Sequence, residues 1–162
     1  MTKEFEEIFK KVIGHEGGYV DDKDDRGGET KYGVSKKAYP NVDIKNLTLE
    51  NAQEIYYTDY WLKSRTDVLA KDIRYIHFDS CINHGVHGAL KIMQQSAGCK
   101  YIDGIVGNET LSKAKSISIH SYAYYRLLKF VRIVIANPSQ IRFLRGWSAR
   151  IENIVKDITN NK

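Results

Sequence analysis

Proline is nearly missing from this chain, with two in 162 residues. Few positions therefore lose a backbone donor, and runs that alternate polar and apolar over strand length are also few. Both point to a mostly helical fold. Cysteine is equally scarce. Cys81 and Cys99 are the two thiols, and a chain of this length buries enough core to fold without covalent staples, so they read as reduced residues. No segment approaches the ~20 apolar residues that a bilayer-spanning helix needs. The first residues, M-T-K-E-F-E-E-I-F-K-K, are charged and amphipathic and lack the apolar central stretch of a secretory signal. Synthesis in the cytoplasm is expected, with assisted release toward any extracytoplasmic target. There is no internal repeat and no low-complexity tract.

What is present is ordinary for a soluble globular protein: 42% hydrophobic and 28% charged residues. The length allows one substantial core, or one core with a small appended subdomain. The net charge of +5 implies an anionic partner. Nucleic acid and the bacterial wall both qualify, so charge alone does not choose between them. The basic residues carry no recognised nucleic-acid-binding pattern, and no nucleic acid is expected as partner.

The unusual stretch runs from residue 13 to 34, I-G-H-E-G-G-Y-V-D-D-K-D-D-R-G-G-E-T-K-Y-G-V. Glycine pairs at Gly17-Gly18 and Gly27-Gly28 permit tight turns and close backbone approach. A helix is predicted ahead of it, from about Lys3, with Phe5, Ile8, Phe9, Val12 and Ile13 on one face. Glu16 continues that apolar face. A carboxyl at the buried end of a helix loses solvation, and its pKa rises toward the range a proton donor needs. The alternative is a solvated Glu at a glycine-capped helix end. Asp25 follows Glu16 after eight residues, and Thr30 follows Asp25 after four. Metal chemistry finds no support. Asp22-x-Asp24-x-Arg26 starts like a calcium loop, but Arg26 replaces an oxygen ligand and Gly33 stands where the closing glutamate belongs. His84 and His87 lack a third ligand at zinc spacing. No metal or cofactor is expected.

Downstream, Ser35 to Ala38 reads as a short helical turn before Pro40. Thr48 is an N-cap for a helix carrying Ala52, Ile55, Tyr56 and Tyr60 and ending near Trp61. Helices follow over Asp72–His84 and Ala89–Ala97. Asp103-Gly104 makes a turn and Gly107 opens the next helix. A long helix spans residues 117–136, and Asn137-Pro138 breaks it before a last one from Ser139 to about Ile158. Aromatic faces stack on sugar rings, which marks Tyr60 and Trp61 as candidate groove residues; a core role is the alternative. Asp79 and Asn83, four apart on one helical face, are able to bond a substrate amide, although Asn83 beside Gly85 also suits a helix cap. Tyr19 and Tyr32 complete the candidate substrate-binding set.

The Glu16, Asp25, Thr30 arrangement resembles that of phage-type lysozymes, with one residue fewer before the threonine. The string H-E-G-G-Y-V-D-D-K-D-D-R-G-G-E-T-K-Y-G-V resembles glycoside hydrolase family 108, of phage endolysin and secretion-activator type. Lys23 and Arg26 stand where that family usually has prolines, and Val34 replaces an isoleucine. L-T-x-E-x-A-x-x-I-Y-x-x-D-Y-W, H-F-D-S-C-I-N-H-G and G-W-x-x-R extend the similarity along the chain. D-G-x-x-G-x-x-T-L resembles modules that bind peptidoglycan. The resemblance implies an all-α, lysozyme-like fold with the active-site loop after the first helix. It further implies a catalytic part over 1–87 and a peptidoglycan-binding-like part over 88–162, packed as one compact unit. The implied activity is that of a muramidase cleaving the β-1,4 bond between N-acetylmuramic acid and N-acetylglucosamine. Glu16 would be its general acid, Asp25 its carboxylate partner and Thr30 a water-holding hydroxyl. Peptidoglycan is the implied partner; a monomer with no stable membrane insertion is expected. A non-catalytic wall-binding or secretion-assisting protein is the alternative.

Overall fold

The computed structural model describes residues 1–14, 18–21 and 28–160. The fold is all-α apart from one very small sheet. The helices are α1 (Lys3–Ile13), α2 (Leu49–Tyr56), α3 (Lys71–Ser96), α4 (Asn108–Ala114), α5 (Ile119–Ala136) and α6 (Ile141–Asn160). The sheet pairs β1 (Thr30–Lys31) with β2 (Val34–Ser35), antiparallel, in the register Thr30↔Ser35 and Lys31↔Val34. The chain divides into two compact units, Met1–Asp59 and Tyr60–Lys162, whereas α3 runs unbroken in sequence past residues 87 and 88.

In the first unit α1 forms where the apolar spacing predicts it. The Thr2 hydroxyl accepts from the Phe5 amide, Glu4 and Glu6 occupy the first turn, and Lys10 and Lys11 the last. Each of these suits the helix dipole and satisfies an end group. Phe5, Ile8 and Phe9 are buried. Phe5 lies edge-on to Tyr57 with centroids 5.0 Å apart, and Phe9 meets Tyr56 at 5.5 Å. Burial of a Phe side chain stabilises by roughly 1.5–3 kcal/mol, so these aromatics tie α1 to α2. The Thr48 hydroxyl caps α2 through the Asn51 amide. After Tyr56 the chain continues as a π-helical segment, Tyr57–Leu62, so the expected single α-helix through Trp61 changes hydrogen-bond register part-way.

The second unit is built on α3, α5 and α6. Leu69, Ile73, Ile76, Ile92, Met93, Tyr122, Phe130, Ile151 and Ile154 form its core. Gly85 breaks helical geometry inside α3, with φ 69° and ψ 160°. The two helices expected around it meet at that residue. Phe130 stacks on Trp147 at 4.5 Å and 15°, which joins α5 to α6. Cys81 is buried, Cys99 partly so, and both are free thiols. Among the described residues, no helix is long and apolar enough to cross a membrane.

Candidate active site

Three stretches of the first unit meet at the hairpin. Val20 and Thr30 exchange backbone hydrogen bonds, 2.8 Å in each direction, so β1 lies between Val20 on one side and β2 on the other. The Tyr19 hydroxyl donates to Glu29 Oε1 at 2.7 Å. That bond, mainly, pushes the Tyr19 pKa up to about 12. The Glu29 carbonyl accepts from the Lys36 amide at 2.8 Å. Two of the four residues at 18–21 are thus fastened to 29–30.

Local geometry explains the hairpin. Tyr32 and Gly33 form its two-residue turn with φ 50° and 75°, the left-handed pair that matches strand twist. Gly33 is required twice over. Beyond its φ, a Cβ there would lie 2.5 Å from the Tyr56 hydroxyl oxygen, which itself donates to the Tyr32 carbonyl at 3.2 Å. The Lys31 ammonium bonds the Lys45 carbonyl at 3.1 Å and lies 5.6 Å from the Tyr32 ring centre.

Thr30 Oγ1 donates to the Gly28 carbonyl at 3.1 Å. With its proton committed, the oxygen has lone pairs left to accept from a second donor. Glu16 and Asp25 lie outside the described residues. Helix α1 ends at Ile13, and Gly14 leaves helical space at φ 72°, ψ −173° while donating to the Lys10 carbonyl. The reading of Glu16 as a continuation of that helix's apolar face falls on a residue outside those described.

The remaining candidates belong to the second unit. Tyr60 is half-buried, and its carbonyl accepts from the Ser64 amide at 3.0 Å. Trp61 is 1% exposed and meets Phe78 edge-on at 5.5 Å. Asp79 is also 1% exposed. Its carboxylate is clamped by the buried Arg126 guanidinium and by Arg150, whose Nε and Nη2 reach Oδ1 at 2.9 and 2.5 Å. These two placements correct the expectation of groove residues. The Trp61 face is spent on core packing, and the Asp79 oxygens are occupied by two cations. Asn83 is exposed and donates to the Asp79 carbonyl at 2.8 Å, an i to i+4 bond within the helix.

Neither Arg126 nor Arg150 was singled out as a partner of Asp79. The available signal was Asp79 itself, since a carboxylate on an inward helical face needs a counter-charge. A second buried polar cluster also went unread. His77 is fully buried. Its Nε2 must donate to the Ser64 carbonyl at 3.1 Å, so Nδ1 accepts from the Tyr122 hydroxyl at 2.8 Å. Burial pulls the His77 pKa down to about 4. Among the described residues no three His, Cys, Asp or Glu side chains gather as a metal site.

Residues 9–85 match the family model described as glycosyl hydrolase 108. Over that span the sequence is similar to glycosyl hydrolase family 108. The family segment takes in the end of α1 from Phe9, the hairpin and α2, and it ends at the Gly85 break in α3. The chain is also similar to the solved structure of Brucella abortus SagA, at 26% identity and a TM-score of 0.78 over 96% of this chain and 94% of that one. No curated protein matches. The family match and the lysozyme-like all-α fold both support a protein of glycoside hydrolase type.

Proposed function

We propose that this protein is a peptidoglycan muramidase, hydrolysing the β-1,4 bond between N-acetylmuramic acid and N-acetylglucosamine. The observation that carries the reading is the glycosyl hydrolase 108 match, whose span of 9–85 includes Glu16, Asp25 and Thr30. Glycoside hydrolysis uses two carboxyls, one to protonate the leaving oxygen and one to activate water or to act as nucleophile. Glu16 takes the first role and Asp25 the second.

Thr30 supplies the third element. A water attacking the anomeric carbon gives one proton to Asp25 and keeps a second O–H to place. The Thr30 oxygen, whose own proton goes to the Gly28 carbonyl, can accept that second bond. It thereby turns a water lone pair toward the sugar. Tyr19 and Tyr32, held by Glu29 and by the Tyr56 hydroxyl, offer aromatic faces for glycan contact. The wall is anionic, and the net charge of +5 favours approach to it, an effect that salt weakens.

The test is mass spectrometry of the fragments released from purified peptidoglycan, by wild type and by Glu16→Gln. Muramidase action gives muropeptides with a reducing N-acetylmuramic end. Glu16→Gln keeps the shape of the side chain but donates no proton, and general acid catalysis contributes ~10²–10⁴-fold. More than a tenth of wild-type turnover in the variant rejects Glu16 as the acid. Absence of any fragments from the wild type favours the wall-binding alternative, and an anhydro-muramic product replaces hydrolysis with transglycosylation.

A further inference from the structure

Charge is sharply divided along this chain. Residues 110–151 hold eight of its 25 lysines and arginines and none of its 20 acids, which leaves 17 basic against 20 acidic in the remainder. Arg126 and Arg150 pair with Asp79, and the other six basic residues of this stretch lie on α5, α6 and the segment leading into them. At the elbow joining the two helices, every residue from Ile135 to Phe143 is exposed except Gln140, which is half-exposed. Ile135 is 74% exposed, more than any other large apolar side chain among the described residues, with Ile141 at 57% and Phe143 at 43%. Arg132, Arg142 and Arg145 are exposed beside them.

The elbow is held in shape. Asn137 Oδ1 accepts from the Ser139 amide at 3.2 Å and from its hydroxyl at 2.8 Å, and Pro138 opens the turn. Phe143 leans on Trp147 at 5.8 Å, under the Arg142 guanidinium at 4.7 Å. Isolated exposed apolar residues are normal, but three within nine positions of a held turn, with exposed arginines at 132, 142 and 145, are a different arrangement.

We propose that this elbow docks the protein on the surface of a bilayer carrying anionic headgroups. The pattern is that of interfacial binding: apolar side chains enter the acyl boundary while basic ones meet lipid phosphates. A second copy of the chain would bring like charge against like charge. Nucleic acid would satisfy the arginines but leave Ile135 and Ile141 in water. A bilayer interface with anionic headgroups accommodates both chemistries. The inference does not depend on the muramidase reading.

The experiment is co-sedimentation of the full chain with vesicles of phosphatidylglycerol and phosphatidylcholine, against vesicles of phosphatidylcholine alone. The anionic vesicles should bind the protein and the neutral ones should not, with binding falling as salt rises. Arg142→Gln with Arg145→Gln should weaken partitioning about thirtyfold, the ratio two membrane-adjacent arginines supply. Ile135→Ser with Ile141→Ser should weaken it roughly tenfold or more. All four sites are exposed, so circular dichroism should stay that of the wild type. Equal binding to both vesicle types overturns the proposal, as does retention of binding in either double variant. If polyphosphate in solution binds as tightly as the vesicles and the isoleucine pair changes neither, the elbow is a site for soluble polyanions and the membrane reading is wrong.

Discussion

The carboxylate of Asp79 is buried against the guanidinium of Arg126, 47 positions later in the chain, and both are cut off from solvent. Arg126 Nε and Nη1 have no hydrogen-bond partner among the described residues, so Asp79 alone offsets that charge. Removing one member of such a pair strands the other, at about 3–5 kcal/mol. Asp79→Asn should therefore lower unfolding free energy by that amount in urea titration. Arg150→Ala should lower it by less, because its side chain is 42% exposed and solvent screens the contact.

Replacement of Gly33 separates two effects that one glycine serves. Gly33→Ala meets both a left-handed φ and the Tyr56 hydroxyl. The backbone term is of order 1 kcal/mol, and the clash adds to it. In a double-mutant cycle with Tyr56→Phe, the alanine should cost less than it does alone, because the obstructing oxygen is gone. Full additivity in thermal unfolding would place the strain in the backbone and exonerate the contact.

Stability should fall in mild acid through His77. Its folded pKa, pulled down to about 4 by burial, lies below the ordinary value of 6.5. The unfolded chain thus takes a proton between pH 6.5 and 4 while the native one refuses it. The contribution is intact above pH 6.5, declines through that window and levels off below 4. A gap of this size corresponds to about 3 kcal/mol. His84, likewise pulled down to about 4 by burial with help from Arg126 and Lys129, acts in the same direction. Thermal melts of His77→Gln from pH 7 to 4 should show a shallower slope than wild type.

How much of this was readable beforehand follows from where the signal lies. Phe5, Ile8 and Phe9 repeat at helical spacing, and Thr48 stands directly before an apolar run, so α1 and the start of α2 were legible. Gly85 and Gly88 marked a break between two helices there, and it falls at Gly85 with φ 69°. The hairpin was not legible. Its strands are two residues long, too short for any alternation to register, and the Tyr32-Gly33 turn is further held by contact with Tyr56, 24 positions away. Periodicity also assigns a face without saying what covers it. Trp61 and Asp79 read as groove candidates, but Phe78, Arg126 and Arg150 hold them in the core. For the site itself, the spacing of Glu16, Asp25 and Thr30 carried the reading, and the first two lie outside the described residues.

The Thr30 hydroxyl offers the sharpest test of mechanism. Its donation to the Gly28 carbonyl leaves lone pairs for a water, a group an inverting glycosidase needs and a carboxylate nucleophile would need less. Inverting enzymes hold their carboxyls roughly 6.5–9.5 Å apart to admit that water, and retaining ones about 5–5.5 Å. Thr30→Val removes the hydroxyl at nearly constant volume and should lower kcat by about 10²-fold, the scale of one lost positioning bond in a transition state. KM should change little, since the bond is made to water and not to glycan. Thr30→Ser keeps the oxygen and should restore most of the rate. Proton NMR of the first-formed reducing end should show the α-anomer. An initial β-anomer would mean retention, with Asp25 as nucleophile, and would relieve Thr30 of its role. A Thr30→Val variant that raises KM and spares kcat would instead assign the side chain to substrate binding.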